Sequence, residues 1–456
     1  MTDNIGIARV LALDALEKVT EQGAYANLIL QQSLADKGLS GPDRGLATEL
    51  VYGILKQRLL LDWHLQSFLS KPISTLPPKL QHILRIGAYQ LLFLDRVPPR
   101  AAINDAVNQA KRAGFAGLGG MVNAVLRNLE RNKTELGLPE REKEPAKYLS
   151  IAHSHPQWMV ERWLKRYGLD GAEELCRINN QPAPTWLRTN ILRIDREELA
   201  ELLRAEGVEV IPGRKAPESL EIRNFSAVEK LTPFQQGLCT VQDESSMLVA
   251  HVLGARPGET VVDTCSAPGG KTTHIAQLMG NQGIVKAFEI HPHKLQLVEG
   301  ACRRLGLDCV QVIQGDAREL GSLLAERADR VLVDAPCSGL GVLRRKPDAR
   351  WKKHQEDIGE LKKLQLQILK EAANLVKPGG TLVYSTCTIE PEENFEVIKE
   401  FRKAYPDFAP VDMADVLPFE LEREEDLHMA KKGYIQFLPH IHNMDGFFIA
   451  RMDRIV

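Results

Sequence analysis

No stretch of this 456-residue chain approaches the roughly 18 uninterrupted apolar residues that a membrane-spanning helix needs. The opening MTDNIGIARV carries Asp3 and has neither a basic segment nor an apolar one, so it does not read as a secretory signal. A cytoplasmic chain without membrane contact is expected. The seven cysteines (Cys176, Cys239, Cys265, Cys302, Cys309, Cys337 and Cys387) form no CxxC pair, and their odd number argues against a disulfide framework or a zinc site. In a reducing cytosol each is then either core filler or a chemical group. His291-Pro292-His293 offers two imidazoles but no third ligand at useful spacing, so no metal is expected. The net charge of −2 excludes nothing by itself; nucleic-acid binding has to come from local patches. GxGxxG is missing as well, and the GGK-Thr-Thr segment at 269–273 lacks the upstream glycine of a P-loop. A pyrophosphate cofactor is therefore not indicated.

What is present is an ordinary globular composition, 44% hydrophobic and 26% charged, with length enough for about two to four domains. Residues 1–138 read as all-helical. After Pro77-Pro78, the residues Leu80, Ile83, Leu84, Gly87, Ala88, Leu91 and Leu92 recur at helical spacing, with Pro98-Pro99 closing the segment, and Arg44 to Leu69 is a second helical run. Residues 51–133 hold twelve Lys or Arg against four Asp or Glu, a bias that suits a nucleic-acid surface. PEREKEP at 139–145 reads as a linker. The stretch 139–230 continues with helices over 146–180 and a small α/β module, from TWLRTNILRI through REELAELLRAEG to VEVIPG.

From residue 231 to 456 the pattern changes to apolar strands alternating with helices: ETVVDTC, GIVKAFEI, CVQVIQGDA, RVLVDAP and TLVYSTC. Such strands with helical crossovers imply a parallel sheet covered on both faces. YIQFLPH and GFFIARM have no helix between them and are expected to pair as an antiparallel edge. The first strand runs into Asp263-Thr264-Cys265-Ser266-Ala267-Pro268-Gly269-Gly270-Lys271, a tight turn entering a helix, where a backbone can approach a ligand. The second strand ends at Glu289, suited to a ribose diol. The third ends in Gly315-Asp316, suited to an exocyclic adenine amine, and the fourth ends at Asp334. A single strand-end acid often only caps the next helix, but the ordered set points to a nucleoside cofactor.

Cys337, in Asp334-Ala335-Pro336-Cys337-Ser338-Gly339, and Cys387, in Ser385-Thr386-Cys387-Thr388, each follow an apolar strand directly. If those strands are neighbours, their ends lie roughly 5 Å apart and both thiols face one crevice. Two thiols beside a carboxylate suit methylation at cytosine C5. That carbon is a poor nucleophile until a thiolate adds at C6. A carboxyl group at N3 steadies the charge that develops, and a second group assists loss of the C5 proton. The loop GLGVLRRKPDARWKKH then supplies Arg344, Arg345, Lys346, Arg350, Lys352 and Lys353 with Trp351 among them, types that hold phosphates and stack an unpaired base.

DAPCSG, STC, the DxCxAPGGK loop and the closing PHIHNMDGFFIARM resemble the RNA cytosine-5 methyltransferase family over residues 182–456. LLFLDRVPPRAAINDAVNQAK and GGMVNAVLRN resemble the RNA-binding antitermination factor NusB, a combination similar to the Sun or Fmu type within that family. The resemblance implies a multidomain fold: an all-α NusB-like domain, a small α/β module, and a Rossmann-like α/β methyltransferase domain with a mostly parallel seven-stranded sheet. It implies S-adenosyl-L-methionine as cofactor, held by Cys265, Ser266, Ala267, Pro268, Gly269, Gly270, Lys271, Glu289, Asp316 and Asp334. It implies a specific cytosine of small-subunit (16S) ribosomal RNA as substrate, with a monomeric protein expected. It makes Cys387 the nucleophile and Cys337 the group that assists release; spacing alone does not rank them. Glu289 stands where the family often has Asp, and Ser266 where alanine is usual. A small-molecule methyltransferase fits the twin cysteines and the basic loop less well. A non-enzymatic RNA-binding protein leaves the cofactor loop unexplained.

Overall fold

The computed structural model describes residues 6–35, 41–323 and 327–455. Packing divides them into two compact units. One runs to Gln181 and also takes in Leu343–Lys353; the other comprises Pro182–Val342 and the chain from His354. No described helix is long and apolar enough to cross a membrane.

The first unit is helical throughout. The apolar spacing noted after Pro77-Pro78 becomes the helix Pro78–Phe93, with Leu80, Ile83, Leu84, Gly87, Ala88 and Leu91 all buried. Gly87 lets the Leu126 side chain of the helix Gly119–Arg131 approach closely: a Cβ would sit 2.5 Å from Leu126 Cδ1, which would have to shift. Pro98-Pro99 does more than close the segment. Pro99 opens the next helix, Pro99–Arg112, at the first position, where its missing N–H costs nothing. The helices Pro145–Ala152 and Gln157–Asn180 belong to this unit as well.

The second unit holds two sheets. The smaller comprises β1 (Thr185–Thr189), β2 (Glu209–Pro212), β3 (Ser219–Arg223) and β4 (Cys239–Val241), all antiparallel in the order β2-β3-β1-β4. The helix Arg196–Ala205 follows β1, capped by Asp195, whose carboxylate accepts from Glu198 N at 2.7 Å.

The larger sheet comprises β5 (Thr260–Asp263), β6 (Ile284–Glu289), β7 (Val310–Gln314), β8 (Ala328–Asp334), β9 (Val376–Thr386), β10 (Phe408–Pro410), β11 (Tyr434–Phe437) and β12 (Phe447–Arg454). Its order is β10-β12-β9-β8-β5-β6-β7, with β11 against β12. The run from β7 to β9 is parallel, as the apolar strands with helical crossovers imply. The sheet has eight strands where seven are expected; the three-residue β10 is too short to show in an apolar pattern. The segments YIQF and FFIA do pair antiparallel, Tyr434 opposite Ala450 and Phe437 opposite Phe447. They are not a simple edge, however, because β12 also lies between β9 and β10. Strand order reverses about β5, so the carboxyl ends of β5 and β8 open the crevice where ligands of such sheets bind.

Candidate active site

The loop leaving β5 is built by its own backbone. Thr264 N donates to Leu332 O at 3.0 Å and Ser266 N to Phe288 O at 2.8 Å, tying the turn to both neighbouring strands. The Ser266 hydroxyl donates to the same Phe288 carbonyl at 3.0 Å, so the serine adds a bond that an alanine lacks. Gly269 turns the chain at φ +103° before the helix Gly270–Leu278, and a Cβ there would lie 3.2 Å from Val298 Cα. Asp263, fully buried, accepts from Thr272 Oγ1 at 2.6 Å and from Cys265 N at 3.3 Å. Burial pushes its carboxyl up to about 6, against the pull of the Thr272 hydrogen bond. It braces the loop from behind.

In front of the loop lies a cleft of about 550 Å³. Cys265, Ala267, Glu289, Asp316 and Asp334 line it, together with both thiols, Cys337 and Cys387. Ser266, Pro268, Gly269, Gly270 and Lys271 do not line it; Ser266 and Gly269 shape the turn. Glu289 accepts from His291 N at 2.9 Å. Asp316 is gripped by Arg318, Nε to Oδ2 at 2.9 Å, and that hydrogen bond holds its carboxyl below the ordinary range. Arg318 also lines the cleft and gave no signal in the sequence.

The β8–β9 pairing sets Asp334 opposite Ser385, and three residues beyond Asp334 the thiols meet: Cys337 Sγ lies 3.4 Å from Cys387 Sγ. The hydrogen bond to Cys387, with burial behind it, pushes the Cys337 thiol well up. Asp334 accepts from Ser385 Oγ at 2.8 Å and from Lys271 Nζ at 2.8 Å. Burial works to lower the Lys271 ammonium, but Asp334 and Cys387 outweigh it and hold its pKa above the ordinary value. Lys271, at the end of the cofactor loop, thus serves the thiol end of the cleft.

The basic loop is placed otherwise than expected. Residues 343–353 pack with the helical unit. Arg350 is fully buried, donating to Ser154 O at 3.0 Å, Asn180 Oδ1 at 2.8 Å and Asn179 O at 3.2 Å. Trp351 packs against the helical core, donates Nε1 to Leu55 O at 2.8 Å and lies beneath the Arg58 guanidinium. Arg344 is buried too. Arg350 and Trp351 act as internal struts, because a buried guanidinium or indole N–H has to find its partners inside the protein. Arg345 is half-buried and Lys346 is exposed.

A further constellation joins the small sheet to the cofactor helix. Glu218 Oε1 lies 2.8 Å from His274 Nε2 and 3.1 Å from His251 Nε2, and these ligand-type atoms all lie within 4.8 Å of one another. Beside it the fully buried Arg188 of β1 donates to Gly270 O at 2.6 Å, Thr273 Oγ1 at 2.9 Å and Gln277 Oε1 at 3.0 Å. Sequence reasoning missed both groups, in which Glu218 lies 33 residues from His251 and Arg188 lies 89 residues from Gln277.

The profile of the 16S rRNA methyltransferase RsmB/F family matches residues 250–453. That of the NusB family matches 7–131, and that of the RsmF/B-like ferredoxin-like domain matches 155–229. The chain is 43% identical over 448 residues to probable ribosomal RNA small subunit methyltransferase B of Bacillus subtilis (strain 168), covering 97% of this chain and 98% of that one. It is 38% identical over 448 residues to ribosomal RNA small subunit methyltransferase B of Salmonella paratyphi B, with the same coverage. Among solved structures, that of PH0851 is 28% identical and superposes with a TM-score of 0.81 over 97% of this chain and 98% of that one.

Proposed function

The chain belongs to the 16S rRNA methyltransferase RsmB/F family, and from that premise we propose that it methylates C5 of a cytosine in small-subunit ribosomal RNA through a covalent adduct with Cys387. The observation that carries the reading is the pair of thiols 3.4 Å apart in the cleft that the strand-end acids line.

The cleft fits S-adenosyl-L-methionine. Its backbone turn admits close approach, and its acids stand where a ribose diol and an adenine amine need acceptors: Glu289 for the first, Asp316 for the second, with Cys265 and Ala267 alongside. When bound, the cofactor supplies an electrophilic methyl group. The protein's own groups do the rest. The resemblance to RNA cytosine-5 methyltransferases makes Cys387 the attacking thiolate and Cys337, 3.4 Å away, the group that assists release.

Its sulfur adds to C6 of the cytosine, and the displaced electron pair makes C5 nucleophilic. Asp334, oriented by Ser385 and Lys271, stands to share a proton with N3. Once Cys387 is a thioether, the hydrogen bond that raised Cys337 is weakened. Cys337 can then give its own proton to solvent water and take the one on C5, while the C6–S bond breaks and Cys387 returns as a thiolate.

Small-subunit ribosomal RNA containing 5-fluorocytosine tests this, because fluorine at C5 blocks the last proton transfer. The expected outcome is a covalent protein–RNA complex in the wild type and in Cys337→Ala but none in Cys387→Ala. A complex formed by Cys387→Ala and not by Cys337→Ala reverses the roles.

A further inference from the structure

Glu393 lies in the short turn Pro391–Glu393 after β9 and is fully buried, yet the steps above give it no part. Its Oε1 accepts from Ser338 N at 2.8 Å and from Gln365 Nε2 at 3.0 Å, and its Oε2 accepts from Ser338 Oγ at 2.5 Å. Gln365 Nε2 also donates to Pro336 O at 3.0 Å. One carboxylate therefore holds the residue after Cys337 directly and the residue before it through Gln365. The other thiol is reached by the same group. Ser338 Oγ lies 2.8 Å from Thr388 Oγ1, and Thr388 follows Cys387. The partners are a backbone N–H, a hydroxyl and an amide, so among the described residues no cation pairs with this carboxylate. A buried carboxylate left without an ion pair is costly, and it is held only where its hydrogen bonds are complete. An apolar residue would fill the same space at lower cost, but it could not tie the two cysteine loops to one point.

We propose that Glu393 is a positioning residue of the methyl-transfer reaction: through Ser338, Gln365 and Thr388 it fixes the two thiols in register, and Cys337 takes the C5 proton efficiently only while that clamp is intact. The proposal rests on the reading of Cys387 as nucleophile and Cys337 as the group that assists release. Burial is the main force pushing the Glu393 carboxyl up and the Ser338 hydrogen bonds oppose it, while its charge adds to what keeps Cys337 protonated until the adduct forms.

The clamp acts on release, so its loss should separate the two halves of the reaction. With unmodified RNA, Glu393→Gln should accumulate covalent complex at least about tenfold above wild type, with kcat down by about the same factor, part of the 10²–10⁴ that positioned proton transfer contributes. KM for RNA should fall along with kcat, leaving kcat/KM within about twofold of wild type, as expected when only a step after adduct formation is slowed. Ser338→Ala, which removes the hydroxyl but keeps the N–H bond, should shift the same ratio less far. Wild-type kcat without excess complex in Glu393→Gln overturns the proposal, and so does a proportional fall of complex and turnover, which marks a merely structural residue. If Glu393→Gln does not fold, Ser338→Ala decides: no excess complex overturns the clamp. Absence of a 5-fluorocytosine complex in the wild type sinks the covalent reading itself, an outcome separate from these.

Discussion

At the scale of single residues, Gly269 shows how tightly the cofactor loop is specified. Its φ of +103° is outside what an L side chain adopts readily, and the added Cβ would press on the backbone of Val298. Gly269→Ala should destabilise the protein by about 2 kcal/mol through strain in the left-handed region. It should also weaken S-adenosyl-L-methionine binding by more than about tenfold, or about 1.4 kcal/mol. Calorimetric titration checks this, and an affinity close to wild type would mean that the turn is not part of the binding surface. The meeting of Cys337 and Cys387 at one cleft was legible because each follows an apolar strand, and strand ends are where open α/β sheets place their ligands. Glu393, Asp263 and Arg318 were not. Glu393 and Asp263 are carboxylates turned inward to organise loops, and a sequence does not show which way an acid faces.

Among the elements, the segment 343–353 departs most from its reading in the sequence. Its six cations look like a phosphate-binding loop, yet Arg350 is enclosed and Trp351 is docked on helices nearly 300 residues away in the chain. Composition alone does not distinguish a basic loop that meets phosphates from one that meets backbone carbonyls, since both present acceptor oxygens. Arg350→Met strands Ser154 O and Asn179 O in a buried place and should cost about 3 kcal/mol. Lys346→Ala, at an exposed position, should leave stability unchanged within about 0.5 kcal/mol. Chemical denaturation of the two variants reads the difference, and equal midpoints would show that the Arg350 network contributes nothing. The parallel core of the large sheet was readable from its apolar runs. The triad of Glu218, His251 and His274 was not, because its members are brought together only by the packing of the small sheet on the cofactor helix.

For the whole molecule, acid should be the stress that unfolds it. Burial lowers His274 to about 4 and His82 to about 3, each held as neutral imidazole in the folded state. A pKa depressed by folding adds stability that is complete above the unfolded value near 6.5 and is lost as pH falls toward the folded one. The two histidines lie in different units, so both units should weaken between pH 6.5 and 4, by a few kcal/mol in order of magnitude. The stabilised Glu218 carboxylate adds to the loss only at the acid end, below the ordinary range of a glutamate. Thermal unfolding followed from pH 7 to pH 4 should show a falling midpoint; a flat profile across that interval would contradict the neutral-histidine account.

The loan of residues 343–353 to the helical unit has a consequence for how such a protein can be divided or inherited. The chain passes from one unit to the other at Gln181, at Leu343 and again after Lys353. A gene fragment ending at residue 181 would encode helices missing the segment whose Trp351 packs against their core, and the complementary fragment would carry that tryptophan without its cover. Although the two parts match separate families, they are no longer interchangeable modules: recombination at the obvious junction would break both.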